Sequence, residues 1–171
     1  MKFTVIALSL SIAAVAHAQG GGASPANEAK QAYNRVKSVL TKAAEKMPDA
    51  DYSFKPMPEM RPFGALIAHI ADVQSRMCGA VTGSSPAGSA SSKTAKADLM
   101  AALNESFAAC DKAVDSLTDQ NALEAVGSGR MQRSRIGAIY GMIIHNNEEY
   151  GYASVYLRLK NVVPPSSEGG R

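Results

Sequence analysis

His145 and Glu149 stand four residues apart in the stretch His-Asn-Asn-Glu-Glu-Tyr-Gly-Tyr. On a helix, that spacing stacks both side chains on one face. An imidazole and a carboxylate so placed can hold two corners of a metal site. His69, the other histidine beyond the N-terminal segment, falls in an apolar stretch and can supply a third ligand. Two histidines and one glutamate, with water in the fourth position, form a known catalytic zinc arrangement. Without a metal, the same residues have a plainer use. His69 is then a core histidine bonded to a carbonyl, and the i,i+4 pair is a surface ion pair worth roughly a few tenths of a kcal/mol.

Further side chains share these faces. Asp72 and Arg76 follow His69 by three and seven positions, and Tyr152 and Tyr156 follow His145 by seven and eleven. They are candidates to line the mouth of the site, where a phenol can orient a substrate or donate a proton; packing at the rim is the alternative. Glu148 is expected to face solvent. No Ser-His-Asp set, phosphate-binding loop or dinucleotide fingerprint is present, and no catalytic residue is assigned.

Four helices must position these groups. Ser24-Pro25 supplies an N-cap and a first-turn proline. Ala32, Val36, Val39, Leu40 and Ala43 then recur at helical spacing until Pro48. Three further prolines, Pro56, Pro58 and Pro62, make 52–62 a non-helical connection. A second helix is expected over 62–81, with Phe63, Leu66, Ile67, Ile70, Val73 and Met77 on its apolar face. A third is expected over 95–117, carrying Leu99, Leu103, Phe107, Cys110, Val114 and Leu117. A fourth is expected over 134–159, stopped before Pro164-Pro165. The loop 83–92 is built of small residues with no reason to pack, and 119–133 is a second polar loop. Sustained period-two alternation is absent. The pattern predicts an all-α fold, a four-helix bundle with long connecting loops, over residues 25–165. Residues 19–24 are expected as a flexible leader and 166–171 as a flexible tail.

The first 18 residues read as a signal peptide. Lys2 precedes an apolar run from Phe3 to Val15, and Ala16-His17-Ala18 gives the small-x-small cleavage pattern. That run is shorter than the roughly 20 residues a spanning helix needs. The expectation is an exported chain, periplasmic or secreted, with no membrane span after cleavage. Eighteen basic against fifteen acidic side chains give a formal charge of +3. That small excess makes no electrostatic case for nucleic acid. Arg130, Arg133 and Arg135 cluster before the fourth helix. They read as a solvated loop, with an anion site at the helix N-terminus as the alternative. The two cysteines, Cys78 and Cys110, suggest one disulfide in an exported protein. Two buried free thiols are the alternative.

The chain resembles the exported members of the DinB-like family. The matching stretches run through the mature chain: Ala44-Glu45-Lys46-Met47-Pro48, Tyr52-Ser53-Phe54-Lys55-Pro56, Phe63 to Ala71, Cys78-Gly79, and His145 to Ser167. The resemblance implies a right-handed bundle whose divalent metal, often nickel or zinc, is held by three histidines. One comes from the second helix and two from an H-x-x-x-H pair on the fourth. His69 and His145 match the first two. Glu149 stands where the family has its third histidine. A carboxylate there hardens the site and favours manganese or iron more than three imidazoles do. The same departure is expected if the site has been lost.

Relatives of this type include thiol-dependent transferases and an isomerase. Two functions therefore stand as expectations. One is an exported metalloprotein, a metal-dependent hydrolase or thiol transferase acting on a small molecule. The other is a non-catalytic bundle with a degenerate metal site that binds a small molecule or a protein, or forms a homodimer through its helix faces. Export weighs against the thiol-dependent chemistry, because cytosolic thiol cofactors are scarce outside the cell.

Overall fold

Ser24 opens the first helix by accepting a hydrogen bond from the Asn27 N–H at 3.2 Å, with Pro25 at the first helical position. The structure is a computed structural model and describes residues 24–85 and 89–169. The expected signal peptide, 1–18, and all of the expected leader but Ser24 lie outside those residues. Helix α1 spans Pro25–Lys46, α2 Phe63–Thr82, α3 Lys96–Asp115 and α4 Arg135–Leu159. Each agrees with the expected helix to within two residues at either end.

Helix α2 has no side-chain cap, and the proline-rich connection supplies one from its backbone. The Phe63 N–H donates to the Phe54 carbonyl at 3.0 Å, and the Gly64 N–H to the Tyr52 carbonyl at 2.8 Å. Two first-turn donors that a helix leaves unpaired are thereby satisfied. Gly64 permits the approach, since a Cβ there would come within 3.2 Å of the Tyr52 oxygen and 3.1 Å of Leu99 Cδ1. The Tyr52 hydroxyl reaches back to the Ala44 carbonyl at 2.7 Å and fastens the connection to α1.

Both α1 and α2 pack on α3 and α4, so α1 lies across the bundle from α2. That arrangement accounts for the connections before α2 and before α4, because neither α1 with α2 nor α3 with α4 packs side by side. The core is apolar. Tyr33 and Leu40 of α1, Phe63 and Ile67 of α2, Leu103 and Phe107 of α3, and Ile139 and Tyr156 of α4 are all buried. Burying one such side chain stabilises by about 1.5–3 kcal/mol, which is why the bundle follows from the four apolar stripes.

Three details depart from the expectations. The 119–133 loop contains a minimal antiparallel pair, β1 (Ala125–Val126) with β2 (Arg133–Ser134), too short to leave an alternation in sequence. The described C-terminal part of the small-residue loop does pack, since Ala90 is buried and its N–H donates to Asp72. Residues 166–168, expected as part of a flexible tail, are held. The Ser166 N–H donates to the Tyr150 hydroxyl at 2.8 Å, Arg158 donates to Ser167, and Glu168 pairs with Lys46.

Helix α2 ends at Gly83, whose φ of 74° is left-handed and favours glycine. The chain then doubles back, and the Ser84 N–H donates to the Gly79 carbonyl at 2.9 Å. A Cβ on Gly79 would collide with the Ser84 carbonyl oxygen. Gly79→Ala is therefore expected to destabilise the protein by about 1–3 kcal/mol, the usual range for overpacking. The midpoint of urea unfolding measures this, and an unchanged midpoint would contradict the close approach.

Candidate metal centre

His69 occupies the middle of α2, while His145 and Glu149 sit one turn apart on α4, and these two helices face one another. Each histidine falls at the border of its helix's apolar stripe. Both rings are consequently half-buried, with side-chain exposures of 30% for His69 and 20% for His145. Glu149 turns further inward and keeps only 7% of its side-chain surface. The expected convergence is present. His69 Nε2 lies 3.3 Å from Glu149 Oε1, His145 Nε2 lies 3.5 Å from the same oxygen, and the two Nε2 atoms are 3.3 Å apart.

Those three separations test whether a cation fits. Four donors at about 2.0–2.1 Å from a tetrahedral zinc are about 3.4 Å from one another. The observed triangle has that size. The chemistry of the donors agrees. Glu149 is a nearly buried carboxylate with no lysine or arginine paired to it among the described residues. Its second oxygen, Oε2, is buried without a hydrogen-bond partner there. Uncompensated buried charge of this kind is strongly unfavourable. An imidazolium at His69 does not offset it. Burial first, and then the Arg61 guanidinium, hold His69 below its usual pKa despite the pull of Glu149. A neutral imidazole is the form that coordinates a metal. His69, His145 and Glu149 thus fit a divalent cation.

The neighbouring candidates divide. Tyr152 and Tyr156 line a cleft of about 480 Å3 with Glu59, Met60, Arg61 and Leu66. Leu66 is one turn before His69 and Tyr152 about one turn after Glu149, so the cleft adjoins the triad along both helices. Tyr152 is exposed and donates to Glu148 at 3.0 Å, and that hydrogen bond raises its phenol pKa. Tyr156 is buried and donates to the Arg61 carbonyl at 2.7 Å, so it braces the cleft wall. Glu148 faces solvent as expected. Arg76 is exposed, and its charge also lowers the His69 pKa, as the smallest of the influences there.

Asp72 is engaged elsewhere. It accepts from the Ser89 hydroxyl at 2.7 Å and from the Ala90 N–H at 2.6 Å, anchoring the α2–α3 connection. It lines a separate cleft of about 430 Å3 between α2, α3 and that connection. Arg135, of the basic cluster, donates to Glu124 at 3.2 Å and to the Val81 carbonyl at 3.4 Å, tying α4 to the loop and to α2.

Sequence reasoning passed over two buried amides beside the triad. Asn146 and Gln74 are both fully buried, and Asn146 approaches His145 Nδ1 with its Oδ1 at 3.3 Å. A polar residue on an apolar face was the available signal.

Comparison with known proteins places this architecture. A family model described as the DinB superfamily matches residues 32–153. Among solved structures, a DinB-like protein from Bacillus cereus ATCC 10987 is 14% identical. It aligns with a TM-score of 0.66 over 81% of this chain and 95% of its own. A conserved protein from Enterococcus faecalis is 13% identical, with a TM-score of 0.56 over 77% of this chain and 96% of its own. At such identities the likeness is one of fold. No curated protein matches the chain.

Proposed function

The chain belongs to the DinB superfamily, and from that premise we propose that it is an exported metalloenzyme, a hydrolase of a small molecule, holding one divalent cation through His69, His145 and Glu149. The observation that carries this is the donor triangle of 3.3, 3.3 and 3.5 Å around a buried carboxylate whose other oxygen has no partner. When bound, the cation supplies a Lewis acid that polarises a substrate oxygen and eases proton loss from water. Zinc suits the size of the triangle, while Glu149 widens the choice toward manganese and iron. The protein's own part is to hold two imidazoles and one carboxylate in place before the metal arrives.

The cleft beside the triad receives the substrate. Arg61 forms no ion pair among the described residues and lines that cleft with Tyr152. A small molecule bearing a carboxylate would meet a guanidinium there, an arrangement suited to two parallel hydrogen bonds. Thiol transfer on the same centre is the second chemistry this family's resemblance brings, and export disfavours it. The test is metal analysis of protein purified without a polyhistidine tag, followed by assays on small esters and amides with and without chelator. One equivalent of metal and chelator-sensitive hydrolysis are expected. Metal without any such hydrolysis would leave a binding protein. Absence of metal, with no uptake on titration, would sink the proposal.

Export is the other half of the proposal. It rests on the Lys2, apolar-run and Ala-x-Ala order of residues 1–18. A disulfide suits an oxidising compartment, and no helix among the described residues is long and apolar enough to cross a membrane. Intact mass of the protein made in a bacterial host is expected to begin at Gln19. A soluble product that retains Met1 to Ala18 would refute cleavage.

A further inference from the structure

A chain of hydrogen bonds runs through the buried interior from α3 to the metal triad. It begins at the Leu103 carbonyl, to which the Ser106 hydroxyl donates at 2.7 Å. Ser106 Oγ in turn accepts from Gln74 Nε2. Gln74 Oε1 accepts from Asn146 Nδ2 at 2.8 Å. Asn146 Oδ1 then lies 3.3 Å from His145 Nδ1. Gln74 and Asn146 are 0% exposed and Ser106 2%, so water does not compete for these groups.

The direction of this chain is set by its far end. A carbonyl oxygen only accepts, so Ser106 spends its single proton on Leu103. Its oxygen is left to accept, which turns the NH2 of Gln74 toward it and the Gln74 oxygen toward α4. Asn146 must then present its NH2 to Gln74. Met142 Sδ, 3.4 Å from the same nitrogen, suits that orientation, since a thioether is a weak acceptor. The Asn146 oxygen is thereby aimed at His145 Nδ1, which must carry the proton. The lone pair of His145 is left on Nε2, the atom that faces His69 and Glu149.

We propose that Ser106, Gln74 and Asn146 are positioning residues that hold His145 as the Nδ1–H tautomer and so present its Nε2 lone pair to the metal. The proposal rests on the reading of His145 as a ligand, but the tautomer it assigns does not need the metal. It also accounts for three buried polar side chains in an apolar bundle. Each would carry a desolvation penalty if unpaired, and together they satisfy one another in a single sense. Outer-shell groups that orient a ligating imidazole in this way typically affect metal affinity by about 10–100-fold.

The test reads the tautomer directly. Long-range nitrogen–proton correlation spectra of the metal-free protein, at a pH of about 8 where histidine is ordinarily neutral, distinguish the two imidazole forms. His145 is expected as Nδ1–H in the wild type. Asn146→Leu and Gln74→Leu are expected to give a mixture of tautomers and zinc affinity lower by about 10–100-fold. Gln74→Glu still accepts from Asn146 once the Ser106 hydroxyl turns from Leu103 to donate to the new carboxylate, so it is expected to restore the tautomer. That rescue separates orientation from mere packing, because leucine fills the space and glutamate reproduces the acceptor. An Nε2–H form at His145 in the wild type would overturn the proposal. So would a Gln74→Leu protein with unchanged tautomer and affinity. If the leucine variants do not fold, the wild-type spectrum decides alone. An Nδ1–H wild type that takes up neither zinc, nickel, manganese nor iron would uphold the relay while refuting the metalloenzyme reading.

Discussion

Stripped of metal and titrated with zinc, the protein takes up one equivalent, and His145→Ala weakens that binding by well over 100-fold. The figure follows from position. Loss of a group that merely orients a ligand already costs about 10–100-fold, and His145 is itself one of the three donors found among the described residues. Isothermal calorimetry on both proteins measures it. Glu149 makes the sharper variants, because its effects on affinity and stability oppose each other. Glu149→Gln removes a buried charge whose second oxygen has no partner. The metal-free variant should therefore melt at a higher temperature than metal-free wild type, while binding every divalent cation more weakly. Such opposition is the mark of a residue kept for function at the expense of stability. Saturating metal restores the order. At a hundredfold excess over Kd, ligation stabilises the wild type by about 2.7 kcal/mol. Glu149→His should move the preference toward nickel and zinc, which imidazole suits better than carboxylate does. If wild type binds nothing while Glu149→His binds tightly, the natural site is vacated and the non-catalytic reading takes its place.

Much of this site was legible because its signals are local. Pro25, Pro48, Pro62 and Pro164-Pro165 punctuate the helices, and the i,i+4 spacing of His145 and Glu149 fixes their common face without any tertiary information. The partnership with His69 was different. Spacing only nominates it, since nothing within α2 says which neighbour it meets; the family resemblance supplied that link, and the 3.3 Å separation of the two Nε2 atoms bears it out. What stayed hidden depends on pairing between helices. Gln74 and Asn146 look like ordinary polar residues in sequence, and only the packing of α2 against α4 brings them to 2.8 Å. Asp72 shares a helix face with His69 within one turn, yet the α2–α3 connection claims its carboxylate. A loop of small residues carries no periodicity, so its return onto α2 could not be read in advance. The hold on Ser166 and Glu168 is equally non-local, drawing on Tyr150 and Lys46.

Replacing both cysteines, as Cys78→Ala with Cys110→Ala, lowers the melting temperature by about 6–16 °C, given roughly 2–4 °C per kcal/mol for a chain of this size. The bond joins α2 to α3 across a Cα separation of 5.0 Å and closes a loop with a sequence separation of 32 residues. On the chain-entropy estimate, a loop of that length stabilises the folded state by about 3–4 kcal/mol, by restricting the unfolded chain. Thiol titration of unfolded, unreduced protein should find no free thiol. Two titratable thiols, or a double variant that melts with the wild type, would count against the bridge. Its position adds a second expectation. Cys78 follows Gln74 by one turn of α2, and Cys110 follows Ser106 by one turn of α3. The covalent tie therefore fixes the register of the two helices beside the Gln74–Ser106 hydrogen bond, the step that carries the relay from α3 to α2. Once the bridge is lost, small shifts of α3 against α2 loosen that step while the triad itself, built on α2 and α4, stays together. The double variant should accordingly bind zinc with the same stoichiometry but more weakly, by no more than the roughly 10–100-fold that outer-shell losses produce. Full loss of binding would place the bridge's influence on the ligands themselves rather than on the groups that orient them.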